Sequence, residues 1–172
     1  MDDPVLLASV SQIAATHYGM FGFYDEEDGG TEPVHPHGWY AATTRTVRIY
    51  PACQLPSPGI RFERWTAGPP RQVTDSGDDP EVRARLKFQV TQGSIGLMAD
   101  GSQPGVFALP VGWHHLELLG YRLSVMPAKE KDLYARRIAP GDIQWKQAEG
   151  VELYVARFWP ACGPAALPQE LP

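Results

Sequence analysis

The segment 83–91 alternates strictly between polar and apolar residues. Its apolar positions are Ala84, Leu86, Phe88 and Val90, and the residues between them are polar. A period of two places one face of an extended strand on a core and the other face in water. Turn-forming residues at 92–93, 100–101 and 110–112 then separate further strands as far as Met126. The centre of the chain is therefore predicted to be antiparallel β-sheet.

The spacing of strands and turns along the whole chain predicts a mainly β fold. We expect an antiparallel β-sandwich of about eight or nine strands, with a small barrel as the second choice. An α/β layout is disfavoured because no helix lies between successive strands. One short charged helix is predicted near 129–137. Residues 1–160 are predicted to form a single domain, and 161–172 a proline-rich tail.

Two long segments give more specific predictions. Residues 39–50 are rich in Thr and Val and are predicted to form one extended strand that ends at Pro51. Residues 113–126 are predicted to form a long strand whose apolar phase slips, because Leu116 and Leu118 share one face while Leu119 and Tyr121 share the other. Such a slip is typical of a β-bulge or of a strand that crosses between sheets.

Charge and hydropathy exclude some classes of partner. The formal net charge of −5 argues against a nucleic-acid-binding protein, which would carry a basic patch. No run approaches the roughly 20 apolar residues of a membrane span, so we expect no membrane partner. The chain opens with Met1-Asp2-Asp3-Pro4, which is acidic where a secretory signal would be basic. A cytoplasmic location is the resulting prediction.

Acidic residues are concentrated in two short runs. Asp25, Glu26, Glu27 and Asp28 form the first, and the second lies within 75–81. Runs of this kind are commonly solvated loops, but they can also form a surface that meets a basic partner.

The histidines allow a metal-site hypothesis. His35-Pro36-His37 and the segment Pro110-Val111-Gly112-Trp113-His114-His115 are similar to the two motifs of the cupin family. However, no Glu follows His37 at the spacing that a cupin metal site uses, and a turn leading into a strand explains the second segment equally well. We therefore expect no metal or other cofactor, with a cupin-like metal-dependent enzyme that uses His35, His37 and His115 as the alternative.

Other catalytic signatures are missing from the sequence. It contains neither Gly-x-Ser-x-Gly nor a phosphate-binding Gly-x-x-x-x-Gly-Lys motif. Cys53 and Cys162 are interpreted as ordinary thiols, and Trp65 or Trp145 as a possible interface anchor. A protein that is not an enzyme fits these features better than an enzyme does.

The order of segments resembles the family of competence protein J, a small cytoplasmic inhibitor that binds a DNA-entry nuclease. An aromatic strand (17–24) ends at the acidic turn, and Gly38-Trp39-Tyr40-Ala41-Ala42 follows it. The segments Leu86-Lys87-Phe88-Gln89-Val90, Gly93-Ser94-Ile95-Gly96-Leu97 and Phe107-Ala108-Leu109-Pro110-Val111-Gly112 come next. A late Trp159-Pro160 completes the similarity, whereas 127–150 and the proline-rich loop 66–80 depart from the family.

The resemblance implies a stoichiometric inhibitor of a nuclease. An immunity protein that binds a toxin would use the same charge complementarity. Acidic groups would face the basic cleft of the partner, and Asp25, Glu26, Glu27 and Asp28 are the candidates, with Tyr24 and Trp39 as anchors. An accessory module of a larger assembly is a third possibility. The oligomeric state is left open.

Overall fold

A computed structural model describes residues 3–16, 18–25, 35–53, 55–70, 78–99 and 101–161. Eleven strands and two helices follow one another in these residues: β1 (Leu6–Ile13), β2 (Phe21–Asp25), β3 (His35–Pro36), β4 (Tyr40–Ala42), β5 (Thr46–Ile49), β6 (Gly59–Trp65), β7 (Val82–Val90), β8 (Ser94–Ala99), β9 (Gly101–Ala108), β10 (Gly112–Tyr121), α1 (Val125–Ala135), α2 (Ile143–Lys146) and β11 (Leu153–Pro160). The strands exceed the expected eight or nine because short ones such as β3 and β4 leave little pattern in the sequence.

The strands form two sheets that share one core. The first sheet has the order β1-β6-β11-β10-β7, and the second has the order β3-β4-β5-β2-β8-β9. Phe23 of the second sheet meets Phe62, Phe88 and Phe158 of the first, with ring centroids 5.4, 5.7 and 5.9 Å apart. All four rings are fully buried. The predicted β-sandwich is confirmed, and the described strands do not close into a barrel.

One neighbouring pair departs from the antiparallel expectation. β11 lies between β10 and β6, and it runs antiparallel to β10 but parallel to β6. The parallel register pairs Leu153 with Gly59 and Phe158 with Arg64. A parallel pair needs a long connection, and here almost ninety residues separate the two strands, including both helices.

The segment 39–50 is a hairpin and not the single strand that we predicted. β4 and β5 pair with each other, and Ala42 lies opposite Val47. Thr43 makes the turn, because its hydroxyl accepts hydrogen bonds from the backbone N–H groups of Arg45 (3.1 Å) and Thr46 (2.9 Å). This local use of a Thr side chain is a turn mechanism that a run of β-forming residues conceals.

The predicted strand 113–126 ends early and contains no bulge. β10 keeps one register with both neighbours and stops at Tyr121. Arg122 then takes a positive φ of 59°, and α1 begins at Val125. The phase slip has another cause: Leu116 and Leu118 face the core, while Leu119 and Tyr121 pack with Val155 in a second cluster on the outer face of the sheet. The predicted helix 129–137 is therefore α1, which starts and ends earlier than expected.

The outer face of the five-stranded sheet carries buried charges. Arg157 is 1% exposed, and its guanidinium donates to Glu63 at 3.1 Å and lies 3.6 Å from Glu117. Arg85 in turn pairs with Glu117 at 3.2 Å. The alternation predicted a solvated polar face for β7 only, and Arg83 and Arg85 are exposed there. At the centre of the sheet, long arginine side chains and Trp65 cover the paired charges.

The two helices follow β10 and add a small separate cluster. Met126 of α1 packs with Cys53 and Ala148. α2 is a single turn capped by Asp142, whose carboxylate accepts a hydrogen bond from the Gln144 N–H at 2.9 Å. Neither helix of the described part of the chain is long and apolar enough to cross a membrane.

Candidate partner-binding site

Asp25 ends β2 and is fully buried. Its carboxylate accepts hydrogen bonds from the Arg45 guanidinium at 3.0 and 3.2 Å, from the Thr91 N–H at 2.8 Å and from the Thr91 hydroxyl at 2.5 Å. The backbone N–H of Asp25 also donates to the carbonyl of Arg45 at 2.8 Å. These bonds tie the end of β2 to the β4–β5 turn and to the residue that follows β7.

Asp25 therefore differs from the three acids that follow it in sequence. We expected all four to form one contact surface, but the Asp25 carboxylate is already occupied inside the protein and does not face solvent. The physical reason is that a buried carboxylate is stable only when it is paired and hydrogen-bonded. Glu26, Glu27 and Asp28 lie outside the described residues. The structure thus fixes the position of Asp25, the residue that precedes the acidic residues 26–28 in the sequence.

Two turns lie at the same end of the sandwich as Asp25, and we call this region the Asp25 end. The register pairs Asp25 with Ile95 and Ile95 with Phe107, so β9 finishes there and leads into the turn at 110–112. Val111 at the tip of this turn is 68% exposed. The β4–β5 turn is joined to the same end, because the Gln89 N–H donates to the Thr44 carbonyl at 2.7 Å. We did not predict an exposed apolar residue here, although an apolar side chain between Pro110 and Gly112 was a sequence signal for it.

Trp39 does not lie at the Asp25 end. Its carbonyl accepts a hydrogen bond from the Tyr50 N–H. The next residue, Tyr40, pairs with Ile49, and Ile49 pairs with Phe21. Trp39 therefore lies near the start of β2, whereas Asp25 is at its end. Because a strand rises roughly 3.3 Å per residue, Trp39 and Asp25 are about 15 Å apart along the strand direction. Trp39 is half-buried and stacks on Tyr154, with ring centroids 6.0 Å apart. It packs against the core from the opposite end of β2.

Tyr24 and the two other predicted aromatic anchors are also engaged inside the protein. The Tyr24 ring lies over Gly96, where an added Cβ would meet it at 2.5 Å, and its hydroxyl contacts Ser102. Trp65 is 4% exposed and donates to Glu63 at 3.0 Å, while Trp145 is 4% exposed and donates to the Ile138 carbonyl at 3.0 Å. Burial makes these side chains parts of the fold, so the expectation that Trp65 or Trp145 anchors an interface is wrong.

The histidines of the metal-site alternative are not brought together. His37 is exposed and stacks on Tyr40 beside β4, whereas His115 stacks on Trp159 on the outer face of the other sheet. For His35 only the backbone is described, in β3. No group of three or more His, Cys, Asp or Glu side chains in the described ranges could hold a metal ion. The arrangement gives no support to a cupin-like site.

His114 and His115 point to opposite faces of β10, as adjacent strand residues must. His114 is buried against Phe158, and its Nε2–H donates to the Pro110 carbonyl at 2.8 Å. Burial lowers the pKa of His114, and also that of His115. A neutral His114 that holds the turn at 110–112 is a structural residue.

A buried polar cluster lies near the start of β11. Glu152 is 1% exposed and accepts hydrogen bonds from the Ala52 N–H at 2.9 Å and the Tyr154 hydroxyl at 2.7 Å, while burial raises its pKa. Burial, reinforced by the neighbouring Glu130, raises the pKa of Cys53 to about 12. Because the reactive form of a cysteine is the thiolate, Cys53 is an inert thiol at neutral pH.

The fold of this chain matches known structures, but its sequence matches no known family. No protein-family model matches the chain, and no curated protein matches its sequence. Two solved structures share its fold. ComJ, inhibitor of the DNA degrading activity of NucA, from Bacillus subtilis aligns with a TM-score of 0.56 and 14% identity over 93% of this chain and 100% of its own. The product of crocagin biosynthetic gene J aligns with a TM-score of 0.52 and 14% identity over 92% of this chain and 99% of its own. The resemblance to competence protein J that the sequence suggested is thus confirmed at the level of the fold.

Proposed function

We propose that this protein is a non-enzymatic inhibitor that binds a nuclease, or a toxin of similar chemistry, and blocks it stoichiometrically. The observation that carries the proposal is the fold shared with ComJ, an inhibitor of the DNA degrading activity of NucA, over 93% of this chain and 100% of that one. The inhibitor acts in the cytoplasm.

Electrostatics supports a partner of this class. A nuclease attracts a polyanion and therefore presents a positively charged cleft. This chain has a net charge of −5, and three consecutive acids, Glu26, Glu27 and Asp28, directly follow the fixed carboxylate of Asp25. The acidic segment of residues 26–28 is our candidate contact.

Val111 supplies an apolar side chain at the same end of the sandwich. Interfaces commonly combine a small apolar centre with a polar rim, and rim charges steer the encounter. Val111 is 68% exposed on a turn that the buried His114 holds through the Pro110 carbonyl. We assign Val111 to the apolar centre and residues 26–28 to the rim. Trp39 takes no part in this contact because it lies at the other end of β2.

The experiment is a comparison of two charge reversals in the full chain. The tagged protein is expressed in its native host, and the proteins that co-purify with it are identified and tested for nuclease activity. Glu26→Lys/Glu27→Lys is then compared with Asp78→Lys/Asp79→Lys, which makes the same charge change in the second acidic run. We expect the first variant to weaken binding about 10-fold or more, mainly through a slower association rate, and the second to change it less than about 3-fold.

Each result has a distinct meaning. Equal losses in both variants would show that only the net charge matters, which contradicts the assignment to residues 26–28. Unchanged binding by both variants would contradict the proposal that either acidic run contacts the partner. The identity of the partner separates a nuclease inhibitor from an immunity protein whose target is a toxin of another kind.

A further inference from the structure

Among the strands that the structure describes, four lie at the edges of the two sheets, and three of these four are protected against pairing with another chain. Charged side chains, proline and short length all discourage such pairing. β7 presents Arg83, Arg85 and Lys87, β9 contains Pro104, and β3 has only two residues. β1 is the exception, because its eight residues include neither a charge nor a proline.

β1 also exposes unusually many apolar side chains. Leu6, Leu7 and Ile13 are 43%, 52% and 50% exposed, and Val5 just before the strand is 55% exposed. A bulge beside Leu7 interrupts the pairing with β6, after which Ala8 to Ile13 continue in regular register. An uncharged edge strand with exposed apolar residues is a favourable site for association.

The backbone of β1 has unused hydrogen-bonding groups. The Ala14 N–H donates to the Pro58 carbonyl at 2.9 Å. Because residues of an antiparallel pair alternate between bonded and non-bonded positions, Gln12 and Val10 also turn toward β6, and Ser9, Ser11 and Ile13 turn away. Within the described residues β1 has a neighbour on one side only. The outward N–H and C=O groups are therefore open to a further strand.

We propose that two copies of this chain associate through β1, antiparallel and about a two-fold axis at Val10, which joins their five-stranded sheets into one continuous sheet. The sequence of β1 is self-complementary in this register. Ser9 pairs with the partner's Ser11, and Ile13 lies opposite the partner's Leu7, so small polar residues meet each other and apolar residues meet each other. Like charges do not meet, because β1 has none.

A pocket at the end of β1 accommodates this arrangement. It has a volume of about 260 Å³, and Ser11, Ile13, Gly150 and Leu153 are among the residues that line it. In the proposed register the partner's Leu7 lies next to Ile13 and enters this pocket. The exposed Leu7 of each copy is then covered by the apolar wall of the other.

The first test measures the molar mass of the full chain by light scattering and sedimentation. The protein concentration runs from about 1 to about 200 μM, on the order of the range in which small interfaces associate. We expect a reversible shift from monomer to dimer. Ser11→Lys places like charges near the axis and is expected to weaken the dimer about 10-fold or more. Gln103→Lys, on the exposed edge strand β9, is the matched control and is expected to have less than about a 2-fold effect. Circular dichroism establishes that both variants are folded.

The second test traps the register. In a Cys162→Ser background, Val10→Cys places two thiols directly opposite each other in a non-hydrogen-bonded pair, at a separation suited to a disulfide. Mild oxidation should give a covalent dimer with Val10→Cys and little with Gln12→Cys. A chain that stays monomeric at every concentration overturns the proposal, as does a dimer that Ser11→Lys leaves intact. Equal cross-linking of both cysteine variants overturns the register.

Discussion

Asp25→Asn is the substitution that most sharply separates a structural role of Asp25 from a role in partner contact. The side chain is fully buried and accepts four hydrogen bonds, two from Arg45 and two from Thr91. Asparagine keeps the volume and can still accept from the Thr91 N–H. It loses the negative charge, and its amide nitrogen replaces the oxygen that faces the Arg45 guanidinium and the Thr91 hydroxyl.

The expected cost follows from these contacts. Removing one partner of a buried ion pair costs about 3–5 kcal/mol. The cost is lower here because the Arg45 side chain is 21% exposed and can turn toward water, and because the Thr91 hydroxyl can rotate to accept a hydrogen bond. We therefore expect a loss of about 2–3 kcal/mol in the free energy of unfolding. For a chain of this length, such a loss lowers Tm by about 5–10 °C.

Urea unfolding followed by tryptophan fluorescence measures the difference directly. Asp132→Asn is the matched control, because Asp132 also pairs with an arginine, Arg136, at 3.2 Å, but with side chains that are 60% and 52% exposed. We expect the control to cost less than about 0.5 kcal/mol. If Asp25→Asn lies within about 0.5 kcal/mol of the wild type at an unchanged m-value, the argument from the buried carboxylate is refuted.

Two further predictions concern packing and pH. Gly22→Ala should destabilise the protein by about 3 kcal/mol or more, because an added Cβ would lie 2.1 Å from the backbone carbonyl oxygen of Val47; a normal urea midpoint would contradict the close approach of β2 and β5. Burial lowers the pKa of His114, so the folded state favours the neutral ring, and stability is retained above the usual pKa of about 6.5 and lost as the pH falls through the folded value. His114→Gln can still donate to the Pro110 carbonyl, and it should therefore lose less stability than the wild type between pH 7 and pH 5. The control His37→Gln, at an exposed site, should lose as much as the wild type. Urea unfolding at the two pH values measures both differences.

The sequence predicted the parts of the fold that depend on local pattern. The alternation of 83–91 predicted β7 to within one residue at each end, and the charged stretch near 129–137 predicted the helix α1. The parallel pairing of β6 and β11 could not be read in the same way, because alternation defines the two faces of a strand but not the direction of its neighbour. The hairpin turn at Thr43 was hidden for a related reason, since Thr favours strands as well as turns.

The candidate site shows where local reasoning fails. In the sequence Asp25 looks like the first member of an acidic run, yet its partners Arg45 and Thr91 lie 20 and 66 residues away and meet it only in the folded chain. Glu63, Glu117 and Arg157 show the same effect on the five-stranded sheet, where they pair across three strands and are buried. Contacts between residues distant in sequence decided these outcomes.

The most direct test of the inhibitor proposal is a titration of DNA cleavage. The nuclease that co-purifies with the chain is separated from it, and its cleavage rate is measured while the purified full-length protein is added back. The account predicts that activity falls linearly and reaches zero at one protein per nuclease, and that Glu26→Lys/Glu27→Lys needs a large excess for the same effect. Cleavage that continues unchanged at several-fold excess of the wild-type protein would contradict the proposal.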